Sequence, residues 1–360
     1  MNRTCMAIIM VAMVIMGTAG CRKEEVAPAN GVAKEKSTNT ATNLTFHYYE
    51  EWLQTSVPRG YPRKWPVGFS IGSKGYMGAG EGFPYGGGAD YSLQDFWQYD
   101  PSTNAWTQQA NLPYSVRSAV SFVIGTKAYV CLGYHQPPPG TPDNPAWIYH
   151  VVQYDQASNA WTYKADFPGA ARYGAVGATI GNYGYLGTGS GIYDFLDDWW
   201  QYDPSADHWT QKASFIGGKR ANAAAFGLSN VGYVGTGWGF INNAVGNDFY
   251  AYFPGFDAWA PIASLPAVGR NEAMGFTWGQ YGVITCGNPL GSGAPPPLND
   301  FWYYQPSNNQ WYQGLSMSGA ARAGGTGFSI NGTPYVGAGY NYYTNIPAYI
   351  DFWYLTYVFY

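Results

Sequence analysis

Six of the 18 basic residues in this 360-residue chain occupy one register. Arg63, Arg117, Arg172, Arg220, Arg270 and Arg322 each stand eleven positions after a tryptophan: Trp52, Trp106, Trp161, Trp209, Trp259 and Trp311. A guanidinium is a planar fork of donors, suited to carboxylates and hydroxyl-rich ligands or, equally, to backbone carbonyls and neighbouring loops. Two residues beyond the arginines come Trp65, Ala119, Gly174, Asn222, Glu272 and Gly324. Only Glu272 is acidic. With Arg270 beside it, Glu272 is the candidate general base of an enzyme, or it pairs with Arg270 or Arg322; the ion pair is the expected role. Because Asn222 and Glu272 add polar groups, Arg220 and Arg270 are expected to face a ligand, and Arg117, Arg172 and Arg322 to fasten the structure.

Other chemistries find no support. The histidines, His47, His135, His150 and His208, lie in unrelated contexts, and metal spacings, phosphate-cradling loops and a Gly-x-Ser-x-Gly elbow are missing. Neither metal nor cofactor is expected. Charged residues make up 11% of the chain, with a net charge of −4, which excludes a nucleic-acid binder.

The arginines must be positioned by a repeated element. Between each arginine and the next tryptophan the third unit reads Arg172-Tyr-Gly-Ala-Val-Gly-Ala-Thr-Ile, then Tyr185-Leu-Gly-Thr-Gly189, then Asp198-Trp-Trp-Gln-Tyr-Asp-Pro204, ending at Trp209. Short apolar or alternating runs broken by Gly, Asn and Pro read as four strands per unit. The third-strand pattern returns at Asp95, Asp248, Asp300 and Asp351, while the second unit has the degenerate Ile148-Tyr-His-Val-Val-Gln-Tyr-Asp. One tryptophan per unit at a fixed register suits packing between units. The carboxylates of Asp100, Asp155 and Asp203 suit turns, where they accept backbone N–H bonds.

This order of Gly, Tyr-Asp, Trp and Arg, over residues 45–360, resembles the kelch repeat, whose arrays form β-propellers. The resemblance implies an all-β fold of six blades, each of four antiparallel strands. The last unit ends after its third strand, and Trp52-Leu-Gln-Thr-Ser-Val-Pro58 supplies the missing one, so the N-terminal strand is expected to complete the last blade. The family binds ligands on the face made by the inter-blade connections and the loops between second and third strands. On that face the candidates are the six arginines with Trp65, Asn222, Glu272, Tyr134, Trp238, Phe240 and Tyr340. Aromatic faces beside Asn and Arg suit a glycan. A binding module for a carbohydrate or protein ligand is the leading expectation. The alternative is an enzyme, because the family includes N-acetylneuraminate mutarotases.

Ahead of the repeats, Arg3 and the apolar stretch Met6 to Met16 read as a signal peptide over 1–20. Small residues ending on Cys21 resemble a lipobox, making Cys21 the expected lipid anchor, and residues 21–44 read as a flexible tether. The expected product is a monomeric outer-membrane lipoprotein, periplasmic or on the cell surface, touching the membrane only through its anchor. Cys131 and Cys286 sit in apolar strands and read as inert buried thiols.

Overall fold

The computed structural model describes residues 36–37, 47–83, 89–239, 244–289, 296–344 and 348–359. All of them belong to one compact unit, Ala33–Tyr360. The signal segment, Cys21, most of the tether and Phe240 lie outside the described residues.

Six four-stranded antiparallel sheets are strung along the chain. Blade one uses Val67–Ile71, Lys74–Gly78, Phe96–Asp100 and Ala105–Gln108, each strand pairing with the next. Blades two to five repeat this with first strands Val120–Ile124, Val176–Ile180, Ala224–Leu228 and Met274–Trp278. Blade six takes Thr326–Ile330, Thr333–Gly337 and Phe352–Phe359 from the C-terminal end and His47–Gln54 from the N-terminal end. The seam is continuous: Trp52 lies opposite Leu355, and Gln54 opposite Trp353. Closure by the N-terminal strand is therefore as expected, and it covers the edge that Phe352–Phe359 would otherwise leave open in blade six. Lys36–Ser37, from the tether region, adds a two-residue strand against His47 and Tyr48.

Burial falls from the centre outward. Second strands are buried along almost their whole length, as at Lys74–Gly78, whereas fourth strands such as Ala105–Gln108 are mostly exposed. Between blades, aromatic rings from facing sheets meet edge to face. Phe96 of blade one packs against Tyr154 and Trp161 of blade two, centroids 4.8 and 5.1 Å apart, a geometry that adds about 0.5–1.5 kcal/mol per pair to simple burial. Each repeat tryptophan also donates its indole N–H to a carbonyl of the preceding blade: Trp161 to Ala110 at 2.8 Å, Trp259 to Ala213 at 2.9 Å, Trp311 to Ala263 at 2.8 Å. The tryptophans are the inter-blade packing that their register suggests. The turn carboxylates behave likewise, Asp100 and Asp203 accepting from Ser102 N and Ser205 N.

A second set of ties explains the glycine two residues after each second strand. Gly80 has φ +92° and sends its N–H to Val116 O of the next blade at 2.8 Å. A Cβ there would come within 2.9 Å of Lys64 O, so only glycine fits both the left-handed backbone and the close approach. Gly133, Gly189, Gly237, Gly287 and Gly339 make the equivalent bonds to Arg172, Arg220, Arg270, Arg322 and Arg63. The first strands surround a central cavity of about 200 Å³, lined by small residues such as Gly68, Ala119, Ala175, Ala223 and Gly325. Cys131 and Cys286 are buried, and burial pushes both thiols up, Cys286 to about 11.

Candidate functional site

Five of the six register arginines are structural. Arg63 turns away from the channel into its own blade, its guanidinium forked on Asp95 at 2.7 and 2.6 Å and bonded to Ala79 O at 3.0 Å. Arg172 makes the same clamp with Asp198 and Thr188 O, Arg220 with Asp248 and Thr236 O, Arg270 with Asp300 and Cys286 O, and Arg322 with Asp351 and Ala338 O. All five arginines are buried. The expectation that Arg220 and Arg270 face a ligand is corrected, as is the pairing of Glu272 with Arg270 or Arg322, because aspartates opening the third strands already occupy both arginines. Burial alone would raise the Asp95 carboxyl, but the Arg63 charge and hydrogen bonds, with the Trp97 indole, hold it below its ordinary value.

Arg117 is the exception. Counted back from the first strand, the clamp position in blade two holds Val116, whose carbonyl takes the Gly80 bond. The aspartate position holds His150, which bonds Asp166 instead at 2.9 Å. Arginine and aspartate are lost together, and Arg117 falls one place later, on the channel face, with 28% of its side chain exposed. Its guanidinium lies 5.6 Å from the Trp65 ring centroid and 5.3 Å from that of Tyr134. It pairs with Glu81 Oε2, while Lys64 Nζ holds Glu81 Oε1 at 2.6 Å and has Asp90 3.6 Å away. Lys64 itself is buried among Trp65, Phe83, Tyr340 and Tyr342, 4.7 to 6.0 Å from their ring centroids.

At the mouth of the channel six peptide groups form a closed circle. The N–H of Trp65 bonds Gly324 O, Gly324 bonds Glu272 O, Glu272 bonds Asn222 O, Asn222 bonds Gly174 O, Gly174 bonds Ser118 O, and Ser118 bonds Trp65 O, at 2.6 to 3.3 Å. Blade two contributes Ser118 here, not Ala119, which lines the cavity beneath. All six have φ between 52° and 60°, a region that costs a bulky residue about 1–3 kcal/mol. Two blades use glycine. At Gly174 a Cβ would strike Asn222 Oδ1, and at Gly324 it would meet the Trp65 ring at 2.7 Å, so these glycines leave room for the side chains that lean over them. Trp65, Ser118, Asn222 and Glu272 bear the strain.

Those side chains converge. Tyr340 Oη donates to Glu272 Oε2 at 2.6 Å, Asn222 Nδ2 reaches Oε1 at 3.5 Å, and the Trp65 side chain also bonds the carboxyl. As a residue Glu272 is half-buried, but its carboxyl is enclosed by these neighbours. Burial pushes it above its ordinary 4.5, against the hydrogen bonds of Tyr340 and Trp65 and the charge of Lys64. Burial and the Glu272 charge push the Tyr340 hydroxyl up as well. The cluster thus offers a carboxyl able to hold or release a proton, a phenol hydrogen-bonded to it, and in Arg117 a partly exposed cation. Among the described residues no three His, Cys, Asp or Glu side chains are placed to hold a metal ion.

Of the residues expected at the site, Trp65, Asn222, Glu272 and Tyr340 come together, and Arg117 and Tyr134 flank them. Trp238 stands apart, its ring 5.4 Å from Phe195 over a separate cavity between blades three and four. Lys64 and Glu81 were not anticipated; the sequence signal for them is the one-residue offset that sets Lys64 and Arg117 at equivalent places.

No family model matches the chain. A stretch of 84 residues, 23% of the chain, is 36% identical to the N-acetylneuraminate epimerase of Vibrio cholerae serotype O1, and spans 19% of that protein's length. The solved structure of YjhT superposes with a TM-score of 0.66 at 15% identity, over 81% of this chain and 94% of that one. The architecture is a six-bladed β-propeller of kelch type.

Proposed function

We propose that the channel mouth is an acid–base site for a sugar acid, and that the chain exchanges the anomers of N-acetylneuraminate or a sugar of the same class. The enclosed Glu272–Tyr340 pair carries this reading. A module that only binds has no use for a strained, desolvated carboxyl, whereas a general base works best when its affinity for protons is raised toward neutral pH. The likeness to the Vibrio cholerae epimerase supports the choice of sugar.

In this reading the ligand carboxylate takes the open side of Arg117, and the sugar ring lies against Trp65. Glu272 accepts the proton of the anomeric hydroxyl as the bond from the anomeric carbon to the ring oxygen breaks. A proton returned to the ring oxygen completes the open-chain keto sugar. Rotation about the bond to the freed carbonyl carbon and the same transfers in reverse close the ring as the other anomer. Tyr340 shares the Glu272 proton and steadies the carboxylate between transfers. The leader and Cys21 fit export and lipid anchoring at the outer membrane, where such a sugar would be met outside the cytoplasm. Proton NMR of a freshly dissolved single anomer tests the reading: added protein should speed its equilibration, and an unchanged rate would sink it.

A further inference from the structure

Exchange on a single sugar leaves part of this face unused. Aromatic rings run away from Arg117 in a line. Its guanidinium is 5.3 Å from the Tyr134 centroid, Tyr134 meets Trp147 edge-on at 5.6 Å, and Trp147 stacks on Tyr173 at 5.5 Å with 24° between the planes. Tyr173 pairs with Ser190, which opens the cavity of about 460 Å³ lined by Ile192, Tyr193, Phe195 and Trp238. Tyr173 is 37% exposed and Tyr193 96%. Tyr134 and Trp147 face each other on the short strand pair Tyr134–His135 and Ala146–Trp147 and are half-buried, and the rings of the line lie outside the inter-blade core, with Tyr173 and Tyr193 exposed.

We propose that this arc holds further pyranose residues, and that the natural substrate is an oligosaccharide with a sugar acid at its reducing end. The inference rests on the reading above. Anomer exchange needs a free anomeric hydroxyl, and in a chain only the reducing end has one. Its other residues must then leave the mouth from a non-anomeric oxygen, past the Arg117 side, where the rings begin. Each step of the arc is comparable to one pyranose in length, and the apolar C–H face of a sugar stacks on an aromatic face while its hydroxyls stay in water. The arc carries no unpaired charge to demand a protein partner, since Asp194 at its far end is paired with Lys219.

Anomer exchange measured by NMR on N-acetylneuraminate and on its α2,8-linked trimer tests this, with wild type, Trp147→Ala and Tyr193→Ala. The expected result is a kcat/KM about tenfold higher for the reducing end of the trimer than for the monomer. Trp147→Ala should lose that advantage while exchanging the monomer at the wild-type rate. Tyr193→Ala, at a side chain exposed enough to leave folding untouched, should lose part of it. Equal rates on monomer and trimer would overturn the arc and leave the acid–base reading standing. No exchange on either sugar would overturn both.

Discussion

Tyr340 donates its hydroxyl to Glu272 across the boundary between blades six and five, at 2.6 Å. Because the two are 68 residues apart and belong to neighbouring blades, the acid–base pair depends on the packing of blade six on blade five and not on either blade alone, and Trp65 of blade one reaches the same carboxyl only across the closed ring. Cutting the chain before Pro58 removes the strand His47–Gln54 and with it the seam of blade six. The shortened protein should expose the outer edge of Phe352–Phe359 and aggregate, and sedimentation should show it. A stable monomer of undiminished melting temperature would separate the site from ring closure.

The clamps differ sharply from Arg117 in cost. Arg172 is buried and forked on Asp198, so Arg172→Ala leaves a carboxylate without its partner and should cost about 3–5 kcal/mol in urea unfolding. Arg117→Ala, at a partly exposed pair, should cost about 1 kcal/mol or less. Equal losses would remove the distinction.

Blade two can be asked to rebuild what it lacks. Val116→Arg alone buries a guanidinium with no aspartate and should destabilise by about 3 kcal/mol. Adding His150→Asp restores the partner, so the double variant should recover at least about 2 kcal/mol. Strictly additive effects would show that the two positions do not correspond to the clamp.

The readable and the hidden parts of this fold divide along chain distance. Strands, blades, tryptophan ties and ring closure follow from patterns within about fifty residues, where alternation and turn chemistry act directly. The arginine register misled because the spacing from Trp106 to Arg117 is preserved while the spacing from Arg117 to the strand at Val120 is one residue shorter than elsewhere. The signal that would have corrected it was present: a clamp needs two partners, and the second unit lacks its aspartate at His150. Nothing local could place Tyr340 on Glu272, since that contact is made between neighbouring blades, whereas Lys64 lies opposite Glu81 in a two-residue strand pair too short to show as an alternating pattern.

Stability should respond to pH from two sides. Glu272 keeps its proton longer in the native state, so the stabilisation tied to that proton is complete below about pH 4.5 and is lost as pH rises through the raised value. Asp95 and Asp351 work the other way. Burial opposes it, but Arg63 and Arg322 hold these carboxyls below 3.8, so their contribution is present above 3.8 and is lost as pH falls through the lowered values. Glu272→Gln should therefore flatten the decline of melting temperature on the alkaline side and leave the acid limb alone. Parallel curves from about pH 4 to 8 would mean that the carboxyl is not enclosed.

The most direct measurement is the rate of N-acetylneuraminate anomer exchange in Glu272→Gln, set beside its melting temperature. Glutamine keeps the shape and can still accept from Tyr340, so the folded ring should persist while the proton acceptor is gone. The account predicts an exchange rate lower by about 10²–10⁴-fold, with Tyr340→Phe intermediate. Undiminished exchange in a folded Glu272→Gln would contradict it.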